Sequence, residues 1–323
     1  MVVAKEKESS GKKQGVAVEV EVTLGACPLF PHLWEHVAKH LEQDAYFAFS
    51  LTCKYFRHLQ LQRQWKLKTT LRRDDAVEFK PSRSWIRWAY HSMDRDIPED
   101  FAARTSLLNL AAFHGYLEEL AWLNKERGVP FQQSTFDYAA EGGQLHVLKW
   151  GLTSQACSFD AETCRHAAFG NALNVLKWLR SEECRCPWNE WTFAAAALKG
   201  NLEILKWLKI EGCDWGLSTT WSAAKEGQLL TLQWLRDNAC PWDEDTCYYA
   251  AAGGHLEVLQ YARENGCPWN EWTCHAAALG GHLEILKWMI TQGCPYNRRK
   301  CIKAARETSS TRVQQWLLEQ QHQ

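Results

Sequence analysis

The sequence has no run of 18 or more apolar residues, so nothing in it reads as a membrane-spanning helix. It has no excess of either charge. Lys and Arg number 37 against 38 Asp and Glu, for a net charge of −1. A general nucleic-acid binder usually carries a basic excess, so this balance argues against that class. The sequence also lacks a glycine-rich phosphate loop, a nucleophile elbow and a His-Glu-x-x-His motif. No catalytic residue, cofactor site or enzyme class is indicated. No Cys-x-x-Cys pair occurs, and the cysteines are spread along the chain, so no metal site is expected. The opening stretch, MVVAKEKESSGKKQG, mixes charges of both signs and has no apolar core, unlike a secretory signal. Cysteine numbers 13, an odd count. Reduced thiols in cytoplasm or nucleus fit that better than a disulfide framework.

What the sequence does have is tryptophan, 18 copies, and they repeat. One column runs Trp122, Trp150, Trp178, Trp207, Trp234, Tyr261, Trp288 and Trp316, at spacings of 28, 28, 29, 27, 27, 27 and 28. A second runs Phe131, Phe159, Trp188, Trp215, Trp242, Trp269 and Tyr296, its last four steps all 27. A third runs Cys186, Cys213, Cys240, Cys267 and Cys294, again in steps of 27. Three columns in one register identify a repeat protein before any single element is assigned.

Residues 271–297, EWTCHAAALGGHLEILKWMITQGCPYN, show the plan of one unit. WTCHAAALG reads as a short Ala-rich helix that neighbours can approach closely. Gly280 and Gly281 end it in a tight turn. In the second half Leu283, Ile285, Leu286, Trp288 and Met289 fall in a helical apolar pattern, with Glu284 and Lys287 toward solvent. Gly293 suits the position just past that helix, and Pro295 stops it from continuing. Each unit is a helix–turn–helix pair whose apolar faces are buried only by stacking on the next pair.

At these residues the sequence resembles the ankyrin repeat. GGHLEILKWMITQGCPYN is similar to that family's glycine–His–Leu–Glu helix and the glycine–Ala–Asp–Val–Asn stretch after it. Cys274, His275, Ala277 and Ala278 match its first helix. Ankyrin units are about 33 residues long; here they are 27 to 29. The missing residues fall between Asn270 and Trp272, where the family forms its β-hairpin finger. The resemblance therefore implies an all-α, ankyrin-like solenoid of about eight repeats over residues 106–323, with the fingers reduced to tight turns. It further implies protein partners.

Ahead of the repeats, residues 1–22 read as a disordered polar segment. Residues 68–105 read as a linker and a divergent N-terminal capping repeat, in which SWIRWAYHSM is a second helix with Trp88 in the Trp column. Residues 23–67 do not repeat. Pro31, Leu33, Val37, Leu41 and Phe49, followed by Cys53, Lys54, Phe56 and Trp65, resemble an F-box. That likeness implies a small helical domain, with the first five residues facing a Skp1-type adaptor of a cullin-type ubiquitin ligase. A plain helical cap on the first repeat is the alternative. The last unit carries Arg298, Arg299, Lys300, Lys303 and Arg306. A terminal unit needs a polar outer face, and an anion-docking patch is the other reading.

The aromatic columns fall on the apolar stripe of the second helix and in the loop, both core places. A base-stacking RNA solenoid or a small-ligand site is the alternative. His255 and His282 share their column with Ala172 and Gln228, which suits hydrogen bonding at the turn rather than catalysis. Cys157 with Cys164, and Cys240 with Cys247, are seven apart across a turn and are candidates to approach one another. Positions that vary between units are free to carry specificity. One such column of the first helix reads Asp137, Arg165, Ala194, Trp221, Tyr248 and His275. Another, just before the turn, reads Glu141, Phe169, Leu198, Lys225, Ala252 and Leu279. Trp, Tyr and Arg dominate interface energetics. Arg165, Trp221, Tyr248 and His275 are accordingly the expected partner-binding residues, on a concave face.

Overall fold

A computed structural model describes residues 82–92, 99–154 and 158–320. The F-box-like segment, with Pro31, Leu33, Val37, Leu41 and Phe49, lies outside the described residues, as does Cys157. The chain divides into two compact units, Met1–Phe101 and Ala102–Gln323. In the first, SWIRWAYHS falls within helix α1 (Arg83–Ser92).

The second unit is a stack of eight helix pairs. The first pair is α2 (Glu99–Phe113) with α3 (Leu117–Ala121), which runs on into a π turn over Trp122–Glu126. The next three are α4 (Gln133–Glu141) with α5 (Leu145–Thr153), α6 (Ala161–Phe169) with α7 (Leu173–Leu179), and α8 (Glu190–Leu198) with α9 (Leu202–Ile210). Then come α10 (Leu217–Lys225) with α11 (Leu229–Asp237), and α12 (Glu244–Gly253) with α13 (Leu256–Glu264). The last two are α14 (Glu271–Leu279) with α15 (Leu283–Thr291), and α16 (Arg298–Glu307) with α17 (Thr311–Glu319). Among the described residues there is no β-strand. With only Pro268, Trp269 and Asn270 between Cys267 and α14, there is no chain from which to build a hairpin.

Five of the first helices start on an Asp or Asn side-chain cap. Asp160, Asn189, Asp243 and Asn270 accept the backbone N–H of the residue two further on, at 3.0, 3.1, 3.2 and 2.9 Å. A threonine sits three residues after the cap in six units, and Thr135, Thr163, Thr192, Thr219, Thr246 and Thr273 are all fully buried. In several units it returns the bond, as where Thr273 Oγ1 accepts from Asn270 N at 3.3 Å, closing a capping box. Gly281, at φ 74°, makes the turn into α15, a conformation that costs a side-chain-bearing residue energy.

The first helices pack closely on one another, joined through buried alanines such as Ala223, Ala250 and Ala277. The second helices meet one another far more loosely. The first helices therefore line the inner side of the stack. Loose outer packing also corrects the placing of both aromatic columns in the core. Trp122 and Trp178 are 8% exposed, but the other members are half-buried and Tyr296 is 37% exposed. They still hold each other. Loop and helix rings meet edge to face, as in Trp188–Trp207 at 5.8 Å, Trp215–Trp234 at 5.9 Å and Trp269–Trp288 at 5.9 Å. On the open side, guanidinium groups cover the faces. Arg180 lies 4.2 Å over Trp188, Arg236 3.9 Å over Trp242 and Arg263 4.0 Å over Trp269. The Arg236 group also donates to Cys240 O at 3.0 Å.

The cysteine column is a second ladder. The thiols of Cys186, Cys213, Cys240, Cys267 and Cys294 each donate to the carbonyl of the residue that caps their own unit's first helix. Those oxygens belong to Asp160, Asn189, Gly216, Asp243 and Asn270, at 3.1, 3.5, 3.6, 3.2 and 3.6 Å. Cys240 does not pair with Cys247, seven residues on, and the Cys157–Cys164 pair lies partly outside the described residues. Cys164 and Cys186 lie 3.5 Å apart, and Cys267 and Cys294 are the corresponding neighbours of Cys247 and Cys274. Cys240 points instead at Gly216. The pairing partner comes from the loop after the second helix because that loop folds back beneath the same unit's first helix.

Burial pushes the Cys213 and Cys240 thiols up to about 12. Only the thiolate is nucleophilic. Native protein treated with iodoacetamide at mildly alkaline pH is therefore expected to leave both unlabelled, while urea-unfolded protein labels fully. Equal labelling rates in the two states, read by peptide mass spectrometry, would contradict the ladder.

Candidate interaction surface

The inner side presents the residues of the first helices that do not stack. The fifth position holds three of the four expected partner-binding residues in consecutive units: Trp221 on α10, Tyr248 on α12 and His275 on α14. Trp221 is fixed by its indole N–H, which donates to Asp243 Oδ1 at 3.0 Å. Its ring stacks on Tyr249 at 6.0 Å and 28°. Tyr249 in turn meets Tyr248 edge to face at 5.2 Å. His275 meets Trp272 at 5.4 Å. All are half-buried except Trp272, which is 49% exposed. These side chains form one aromatic strip across α10, α12 and α14.

Arg165 is not part of it. It sits on α6, with all of α8 between, and forms an ion pair with Glu162 on its own helix. In the α4 unit the same columns are not surface at all. Asp137 is 6% and Glu141 4% exposed. Asp137 Oδ1 accepts from Thr163 Oγ1 at 2.9 Å, and burial raises its pKa above the usual carboxylate value. Glu141 Oε2 pairs with His166 Nδ1 at 2.9 Å.

Tyr249, Trp272 and Asp243 were not singled out by reading the fifth position alone. The signal that would have found Tyr249 and Trp272 is the same variability at the neighbouring sixth and second positions, whereas Asp243 is the cap residue of α12. The second position reads Ser134, Glu162, Trp191, Ser218, Asp245, Trp272 and Arg299. Trp191 is 48% exposed, at the matching place on α8.

Other polar side chains have structural work. His146, His255 and His282 reach back to the preceding unit, donating from Nε2 to Gly115 O, Lys225 O and Ala252 O at 2.9, 2.9 and 3.1 Å. Their hydrogen bonds thus cross between units rather than staying within one turn. In the last unit Arg298 Nε donates to Leu317 O at 2.6 Å and its Nη2 to Leu318 O at 3.0 Å, closing the end of α17. That is capping chemistry. Among the described residues no group of three or more His, Cys, Asp or Glu side chains could hold a metal ion, and no helix is long and apolar enough to cross a membrane.

A family profile described as ankyrin repeats (many copies) matches residues 247–290, which span the last residues of α12, all of α13 and α14, and most of α15. Those residues are similar to ankyrin repeats. The second unit is an all-α solenoid of the ankyrin type, eight helix pairs long. No curated protein matches the chain. Among solved structures, the human ASB11 ankyrin repeat domain is similar at 19% identity, over 57% of this chain and 96% of that chain, with a TM-score of 0.43. The units of the stack carry paired helices like those of the matched segment, without a hairpin finger between them.

Proposed function

We propose that the chain binds a protein client on the inner side of its ankyrin stack, and that the strip of Trp221, Tyr248 and His275, with Tyr249 and Trp272, is the docking surface. The observation that carries this reading is the strip itself. Large rings stand half-open in three adjacent units, at places where other units carry Ala, Ser or Asp. Aromatic anchors of this type dominate interface energetics. Arg165 would contact the client at a separate point, three helix pairs along from Tyr248. The RNA reading has less support, because own-chain guanidinium groups already cover the outer rings on which bases would stack.

The finer role is that of a substrate receptor, with the F-box-like residues Pro31, Leu33, Val37, Leu41 and Phe49 engaging a Skp1-type adaptor in cytoplasm or nucleus. Its support is the sequence resemblance. One experiment tests both parts. The full chain, a Trp221→Ala/Tyr248→Ala variant and a Leu41→Asp variant are purified from the same extract and their bound proteins identified. The double variant is expected to lose clients and keep the adaptor, and Leu41→Asp to do the reverse. Clients indifferent to the double substitution would overturn the docking surface. An adaptor that never co-purifies would leave a plain ankyrin interaction module.

A further inference from the structure

One four-residue sequence occurs twice in the stack. Asn189-Glu190-Trp191-Thr192 opens α8, and Asn270-Glu271-Trp272-Thr273 opens α14. The two copies fold alike. Each asparagine caps its helix by accepting the tryptophan N–H, at 3.1 and 2.9 Å. Each threonine is fully buried, and the two indoles are 48% and 49% exposed. Each glutamate is half-buried beside its indole.

The copies differ in what meets them from the next unit. At the second copy Lys300, in the third position of α16, lays its ammonium 2.8 Å from Glu271 Oε1 and 4.4 Å over the Trp272 ring. A carboxylate and an indole face together hold one primary ammonium, through charge and the ring quadrupole. At the first copy the third position of the following helix is Thr219, which is buried and neutral. The Glu190 carboxylate reaches toward the start of α10, where a Cβ added at Gly216 would stand 3.0 Å from its Oε2. Among the described residues no cation pairs with Glu190 or lies over Trp191.

We propose that Glu190 and Trp191 recognise a lysine side chain of a bound protein partner, and that Lys300 fills the equivalent site at Glu271 and Trp272 from within the chain. The charge of the neighbourhood agrees. Glu190, Asp243, Glu244, Asp245 and Glu271 stand at the N-terminal ends of three inner helices. The first copy, on α8, stands one unit before Trp221 of the aromatic strip, and Trp272 of the second copy touches His275 of that strip at 5.4 Å. The inference rests on the inner-side docking surface proposed above and adds the chemistry of one contact to it.

A random-sequence peptide library displayed on phage, selected on the full chain, tests it. Peptides retained by the wild type are expected to carry lysine at a fixed position. Replacing that lysine by alanine is expected to weaken binding about fivefold on the wild type, the scale of one exposed cation–π and ion-pair contact, and to change nothing on Glu190→Gln or Trp191→Ala. Lys300→Met uncovers the second copy and is expected to add a second selected lysine. Circular dichroism confirms that each variant is folded. Peptides that need Trp221 and Tyr248 but show no lysine preference would overturn this inference alone. So would peptides indifferent to both Glu190→Gln and Trp191→Ala. A wild type that retains no peptide would overturn the docking surface itself, and this inference with it.

Discussion

Trp178→Ala is expected to destabilise the stack by about 3–5 kcal/mol, the usual cost of truncating a large buried aromatic. Trp178 is 8% exposed. Its ring meets Phe159 edge to face at 5.7 Å, and its indole N–H donates to Glu183 Oε2 at 2.9 Å. Alanine removes the ring from beneath the loop and leaves that carboxylate without its donor. Trp191→Ala removes the same side chain from an exposed site and is expected to cost about 0.5 kcal/mol or less. The pattern of the loss is as diagnostic as its size. In a solenoid each unit is held by its neighbours alone. Amide protection in the Trp178 variant is therefore expected to fall in α2–α7 and to persist in α12–α17. Uniform loss along the stack would mean a single cooperative core, and an unchanged melt would mean that Trp178 is not part of one.

The architecture was legible because a period of 27 to 29 residues repeats every core decision many times over. Ala277, Leu286 and Gly281 need no neighbour in space to be understood; their counterparts in other units make the argument. The columns also predicted that the cysteines behave as small buried groups. What they could not give is the partner of each thiol. Cys164 meets Cys186, and Cys247 lies beside Cys267 rather than Cys240, because the loop after the second helix folds back beneath its own unit. The half-open Trp207 and Trp234 were read as core for a related reason. The apolar period of a helix says which side faces inward, not how closely the next helix in the row approaches. Asp137 and Glu141 stood in variable columns and were read as surface, yet Thr163 and His166 from the following unit cover them. Variability between units marks freedom from the repeat's common packing, and a local polar network uses that freedom as well as a binding surface does. Trp191 and Trp272 were in view in the sequence as part of a repeated Asn-Glu-Trp-Thr. What separates the two copies is Lys300, one unit further on, and only the fold brings it to Glu271.

The second large effect is expected from the smallest substitution. Gly170, the residue that ends α6, has an ordinary backbone conformation at φ −80°, so alanine there meets no torsional objection. The objection is contact. A Cβ on Gly170 would stand 1.8 Å from the carbonyl oxygen of Glu141 and 2.5 Å from its carbon. Those atoms belong to the backbone of the preceding unit, so no side chain can swing aside. The units must move apart, and forced backbone shifts in packed interiors cost about 1–3 kcal/mol or more. The displaced residue is the one whose carboxylate pairs with His166 at 2.9 Å, so the shift also strains a nearly buried polar contact. Gly170→Ala is therefore expected to fall at or above about 3 kcal/mol, the top of that range. Gly212 provides the control. Its φ is 74°, but an added Cβ meets nothing within 4 Å, and alanine there is expected to cost only the left-handed conformation, about 1–2 kcal/mol. Lys199 occupies the place of Gly170 in the next unit, with its ammonium 4.0 Å over the Phe169 ring. The close approach recurs at Gly142 and Gly253, whose added Cβ would stand 1.9 Å from Phe113 O and 2.4 Å from Lys225 O, so it belongs to the junctions that carry glycine and not to every unit. Urea melts that ranked Gly212→Ala as the more damaging of the two would show that backbone conformation, and not the closeness of adjacent units, sets the requirement for glycine in these turns.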